Sequence, residues 1–151
     1  MNIYEYLKKD HQTADALIEK VVANKNEEQR EELYNKISHE LAVHSEAEEE
    51  TFYKAIVKNG DEEAKKEERH YVKEHDEIRE HLKKLDAMDV HDESWMSLFH
   101  ELKKSVDHHV REEESKTFDR AKKIISESEA EELAKKMDAY KKNKTSSQHA
   151  A

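Results

Sequence analysis

The chain has 151 residues, of which 42% are charged and 34% apolar, and its formal net charge is −10. With no cysteine, no proline and a single glycine, it has no means to build a disulfide framework, a thiolate zinc site or a Gly-rich phosphate loop, and a turn-dense β-sandwich is ruled out with them. The excess of 37 acidic over 27 basic side chains argues against a nucleic acid partner, and no apolar run is long enough to span a bilayer, so no membrane partner is expected. Met1 to Asp10 is too polar for a secretory leader, which leads us to expect a cytoplasmic protein. Leu, Ile, Val and Phe together number 27, about 18% of the chain, low enough to raise the question of disorder.

Periodicity answers that question. From Ile3 to Asn24, the residues Ile3, Leu7, His11, Ala14, Ile18 and Val21 recur at steps of three and four, which is one face of a helix. A second helix opens at Asn26, where Asn26 and Gln29 have capping-box spacing, and runs through Tyr34, Ile37, Leu41, His44, Glu48, Phe52 and Ala55 to Lys58. Asn59-Gly60 then predicts a left-handed stop, and Asp61 an N-cap for the third helix, whose stripe is Tyr71, His75, Ile78, Leu82 and Leu85. The pattern breaks over Asp89–Ser94, with Asp92 or Ser94 as cap. A fourth helix follows with Trp95, Phe99, Leu102, Val106, His109 and Glu113, then less regularly Thr117, Ala121 and Ile124. Ser128 and Glu131 predict the start of a short fifth helix bearing Leu133, Met137 and Tyr140. The expected architecture is all-α: an up-down-up-down four-helix bundle with a short fifth C-terminal helix over residues 1–141, and a disordered polar tail over 142–151.

Each long stripe contains one histidine: His11, His44, His75 and His109. The second and fourth helices add an inward glutamate one turn later, Glu48 and Glu113, so each reads His-x-x-x-Glu. The two halves repeat, with His11 and His44 33 residues apart and His75 and His109 34 apart. Counting from the turns at about 1.5 Å per residue brings all six groups to one level, to within about a turn. A single inward histidine is usually a hydrogen-bonded core residue, but two inward carboxylates repel and are costly to bury. A bound cation removes that cost. His70 and Glu74 share a face with Glu63 and Glu67 and are read as solvated; His108 and Glu112 are likewise read as an outward pair. His39, His81, His91, His100 and His149 are placed on the surface.

Imidazole and carboxylate without thiolate suit iron, manganese or zinc. One tetrahedral zinc needs only four donors, whereas six suit two metals, with Glu48 and Glu113 each bridging and positions left for a bridging oxo or hydroxo group and an exogenous ligand. Such a pair points to a small diatomic or peroxide ligand as partner: dioxygen, peroxide or nitric oxide.

The motifs Asp-His11, His44-Ser-Glu-Ala-Glu48-Glu, Glu-His75-Asp-Glu-Ile and His109-Val-Arg-Glu-Glu113-Glu, in this order over roughly residues 3 to 125, resemble the hemerythrin-like, HHE cation-binding family. The resemblance implies a four-helix bundle with two non-haem iron ions, His11, His44, His75 and His109 as terminal ligands, and Glu48 and Glu113 as bridges. Oxygen-carrying hemerythrins have a His-x-x-x-His pair on the third helix. Here the positions four before and four after His75 are Tyr71 and Arg79, as in the variant subgroup with one imidazole fewer. Tyr71 lies on the same stripe and is a candidate to support the metal pair, or equally a core aromatic. The leading expectation is a di-iron protein that binds or senses oxygen-related ligands. The alternatives are an iron-dependent oxidoreductase acting on peroxide or nitric oxide, an iron-sensing or iron-holding interaction module, and a bundle with no metal.

Overall fold

The computed structural model describes the backbone of residues 1–150 and the side chains of residues 1–145. It is all-helical: α1 (Ile3–Ala23), α2 (Glu27–Glu48), α3 (Lys54–Asn59), α4 (Glu62–Ala87), α5 (Glu93–Glu112), α6 (Phe118–Ile124) and α7 (Glu127–Ala150). Five-residue π-helical turns, Glu49–Tyr53 and Glu113–Thr117, join α2 to α3 and α5 to α6, so each pair forms one continuous rod. Among the described residues no helix is long and apolar enough to cross a membrane.

The π turns explain the irregular stripe of the fourth predicted helix. Successive four-residue steps such as His109, Glu113, Thr117 and Ala121 each overshoot a 3.6-residue turn by about 40°. One wider turn absorbs the drift, and Glu113, Thr117 and Ala121 are all buried. The same device after Glu48 keeps Phe52, Tyr53 and Ala55 inside.

Caps account for most boundaries. Asn2 and Glu5 form a full capping box on α1, Asp61 accepts from the Ala64 amide, and Asp92 accepts from the Ser94 amide. Asn26 accepts from the Glu28 and Gln29 amides, but the Gln29 side chain turns to Asn24 rather than closing a box. Ser126, not Ser128, caps α7 by accepting from the Glu129 amide.

Two boundary expectations are corrected. Gly60 is not left-handed; its φ is −103° and its ψ −177°. Glycine is needed there for space, because a Cβ would overlap Ala64 Cβ and lie 2.7 Å from the Ile56 carbonyl oxygen. Gly60→Ala is therefore expected to destabilise the chain by about 1–3 kcal/mol through overpacking, read as a lower midpoint in urea at unchanged slope. The fifth helix is not short either, since α7 runs from Glu127 to Ala150 through most of the expected disordered tail. Ion pairs from Lys141 to Asp10 (2.6 Å) and Lys144 to Glu46 (3.0 Å) hold it against α1 and α2. Ala151 and the side chain of His149 lie outside the described residues.

The apolar core is in two parts. One cluster holds Ile3, Leu7, Phe52, Tyr53, Phe118, Leu133 and Met137; the other holds Ile18, Tyr34, Leu41, Ile78, Trp95, Phe99 and Val106. Each long helix passes from one cluster to the other, and the predicted histidine sits at the crossing. His11 falls between Leu7 and Ile18, His44 between Leu41 and Ala47, His75 between Tyr71 and Ile78, and His109 between Val106 and Phe118.

Candidate metal centre

The six predicted residues converge in the polar layer between the two apolar clusters. Glu48 and Glu113 are fully buried, His11, His75 and His109 are buried, and His44 is partly so. Donor atoms of His11, His44, Glu48 and Glu113 lie within 4.8 Å of one another, as do those of Glu48, His75 and His109. Glu113 faces both groups: its Oε1 is 3.2 Å from His11 Nε2 and its Oε2 3.4 Å from His109 Nε2. Glu48 Oε1 is 3.1 Å from His75 Nε2, 3.7 Å from His109 Nε2 and 3.8 Å from His44 Nε2.

The outer nitrogens of the four imidazoles are already committed. His11 Nδ1 lies 2.7 Å from Glu114, His44 Nδ1 2.7 Å from Asp10, His75 Nδ1 2.6 Å from Glu49 and His109 Nδ1 2.9 Å from Glu74. An ionised carboxylate only accepts, so each Nδ1 carries the hydrogen and each neutral ring turns an Nε2 lone pair inward. These partners follow a cyclic order. The carboxylate beside the inward residue of one helix holds the histidine of the next, with Asp10 of α1 on His44, Glu49 after α2 on His75, Glu74 of α4 on His109, and Glu114 after α5 back on His11. Glu49 is anchored further by Arg79 at 2.7 Å and Asp10 by Lys141 of α7.

The inner atoms do not satisfy one another. His75 Nε2 and His109 Nε2 face each other at 3.0 Å, two lone pairs in contact if both rings are neutral. His11 Nε2, His44 Nε2, both oxygens of Glu48 and Oε1 of Glu113 are buried without a hydrogen-bond partner. Orphaned donors and acceptors at this density are costly, and a cation relieves all of them together. In the metal-free chain protons are the alternative. Burial lowers the basicity of His11, yet the facing carboxylates of Glu113 and Glu114 outweigh it and push its pKa up to about 10. His75 and His109 are raised in the same way against their burial, chiefly by Glu48 with Glu49 and by Glu113 with Glu48. Burial raises Glu113, but the facing imidazoles of His109 and His11 win and hold it well below the usual carboxylate range.

Tyr53 is a member of the layer that the sequence reading missed. Its hydroxyl donates to Glu113 Oε2 at 2.6 Å and lies 3.3 Å from His109 Nε2 and 3.5 Å from His75 Nε2, while its ring stacks on His75. Burial first, then the charges of Glu113 and Glu48, keep the phenol protonated far above its usual range. Tyr71, for which a supporting role and a core position were equal expectations, takes the core position: it packs against Tyr53 and edge-on to His109 in the apolar cluster beneath. Tyr53 follows Phe52 in the π turn, so helical periodicity assigns it to a flank. Only the wider turn brings it inward. Glu74, read as solvated, is buried and holds His109, with His70 and His108 lying against its outer oxygen. Asp10, Glu49 and Glu114 had one signal in the sequence, adjacency to an inward residue. Their partners lie on other helices, so a single-helix pattern could not identify them.

Removing one outer support tests its weight. Asp10→Ala deprives His44 of its Nδ1 acceptor and Lys141 of its ion pair, and is expected to weaken metal binding by about 10–100-fold, measured by competition with a chelator.

Comparison with known proteins agrees with this architecture. The model of the Hemerythrin HHE cation binding domain family matches residues 2–121, and the chain belongs to that family. A crystal structure of a Hemerythrin HHE cation binding domain-containing protein from Mycobacterium kansasii superimposes with a TM-score of 0.83 at 26% sequence identity, covering 95% of this chain and 86% of that one. No curated protein matches the sequence. The family assignment and the converging His and Glu groups together make this a metal-binding helical protein, and iron is the metal typical of the domain.

Proposed function

We propose that the chain is an up-down-up-down four-helix bundle that holds two non-haem iron ions and binds or senses an oxygen-related small ligand. The alternation of the two apolar clusters along α1, α2, α4 and α5 supports the topology. The observation that carries the metal pair is the division of the inner donors into two groups that share Glu48 and are spanned by Glu113, with His11, His44, Glu48 and Glu113 each presenting an orphaned atom. His11 and His44 would hold one ion, His75 and His109 the other, and Glu48 and Glu113 would be shared. The ions supply redox-active positions at which dioxygen, peroxide or nitric oxide binds.

The surrounding residues shape access. A cavity of about 30 Å³ touches all four histidines but neither Glu48 nor Glu113, and its apolar wall includes Ala14, Leu41, Ile78, Val106 and Val110. That is room for a water-sized or diatomic guest and little more. Asp10, Glu40 and Ser45 complete the lining and Tyr53 is not part of it, so the protein offers a narrow approach and, separately, a protonated phenol.

A second reading, an oxidoreductase acting on peroxide or nitric oxide, draws support from Tyr53, whose hydroxyl hydrogen is held at Glu113 within reach of both His75 and His109. Elemental analysis of protein expressed with iron, beside a His44→Ala, His109→Ala double variant, tests the first reading. About two irons per chain, lost in the variant, is the expected result; near-zero metal in both overturns it. Sustained turnover of peroxide or nitric oxide with an added electron donor, diminished in Tyr53→Phe at unchanged iron content, would favour the second.

A further inference from the structure

Next to the buried pair His109 and Glu113, α5 carries a second pair of the same spacing, His108 and Glu112, and these meet His70 and Glu74 of α4. Glu112 Oε1 is 3.0 Å from His70 Nε2, and Glu112 Oε2 is 2.9 Å from His108 Nε2. Glu74 Oε2 lies 3.2 Å from His108 Nε2 and 3.6 Å from His70 Nε2. Each carboxylate therefore contacts both imidazoles. An ion with metal–ligand bonds of about 2.0–2.2 Å in tetrahedral array has ligand–ligand edges of roughly 3.3–3.6 Å. The four nitrogen–oxygen separations run from 2.9 to 3.6 Å, one donor atom each of His70, Glu74 and Glu112 lies within 4.8 Å of the other two, and His108 reaches the second oxygen of Glu112.

Exposure is divided to suit a cation arriving from water. The side chains of His70 and His108 are 53% and 66% exposed, whereas those of Glu74 and Glu112 retain only 10% and 16%. The negative charge is thus largely desolvated, and the imidazoles stand at the mouth. Glu74 is also fixed from behind, since its other oxygen accepts from His109 Nδ1 at 2.9 Å. A carboxylate held in this way has little freedom left to lose on binding an ion.

We propose that His70, Glu74, His108 and Glu112 form a second, solvent-accessible site for a divalent transition ion of the zinc or ferrous type, distinct from the buried layer. Two imidazoles and two carboxylates without thiolate or carbonyl favour such ions over calcium or copper(I). Glu74 gives the site a physical connection to the interior: one oxygen faces the outer ion while the other orients His109.

The test is zinc uptake by the iron-loaded protein, followed by equilibrium dialysis and elemental analysis. Wild type is compared with His70→Ala, His108→Ala and, separately, with Glu112→Gln. The two histidines are exposed and outside the apolar clusters, so circular dichroism and thermal midpoint are expected to stay near wild type. The expected result is about one more zinc per chain in wild type than in either variant, with equal iron in all three, and cobalt(II) in place of zinc showing the visible bands of a four-coordinate ion in wild type alone. Equal zinc uptake in wild type and variants overturns the proposal, as does no uptake at millimolar zinc. Loss of iron together with zinc also overturns it, by making the cluster a support of the buried centre. The zinc difference is read whether or not the buried layer retains iron, so failure of the di-iron reading is a separate outcome.

Discussion

Glu48→Gln combined with Glu113→Gln is expected to reduce bound iron from about two ions per chain to near zero while leaving the helical circular dichroism intact. These are the two fully buried carboxylates of the layer, and Glu113 contacts both groups of donors. The amides keep the shape and the volume but remove the negative charge. Four neutral imidazoles would then face two divalent ions roughly 3.5–4 Å apart, whose mutual repulsion is many kcal/mol even at an effective dielectric constant near 20. No charge of the inner layer remains to offset it. Because metal binding adds to folding free energy, the loaded wild type should unfold at a clearly higher temperature than the variant, and the gap should close when both are stripped with a chelator. Retention of two irons in the double variant would remove these carboxylates from the centre.

The second large effect lies away from the metal layer. Trp95→Ala is expected to destabilise the protein by about 3–5 kcal/mol and lower its thermal midpoint by on the order of 10 °C. Trp95 is almost fully buried, stacked on Phe99 at 5.3 Å and edge-on to Tyr34 at 5.2 Å, at the heart of one apolar cluster. The polar layer divides the core, and this cluster must hold its end of the helices without the apolar contacts of the other. Iron stoichiometry at low temperature should be unchanged, because His11, His44, His75 and His109 keep all their near neighbours. Differential scanning calorimetry and elemental analysis on the same samples separate the two consequences.

The sequence by itself determined the helical class, the long helices and the six inward groups, for a simple reason. Those properties depend on periodicity within one helix: His44 and Glu48, or His109 and Glu113, share a face whatever lies opposite. Family membership was legible for the same reason, since its motifs are local and ordered.

What remained hidden depends on groups far apart in the chain. The cyclic assignment of Asp10, Glu49, Glu74 and Glu114 to histidines on neighbouring helices is set by how the helices pack, and each carboxylate taken alone reads as one more surface acid. The presence of Tyr53 in the layer follows from a π turn, a departure from the 3.6-residue repeat on which the reading of the stripe relied. The length of α7 follows from Lys141 and Lys144 finding Asp10 and Glu46 across the surface. Gly60 is required for the close approach of Ala64 and Ile56 rather than for its own backbone angle. In each case the deciding partner lies on another helix or in a turn that breaks the repeat, and only the tertiary structure brings it into contact.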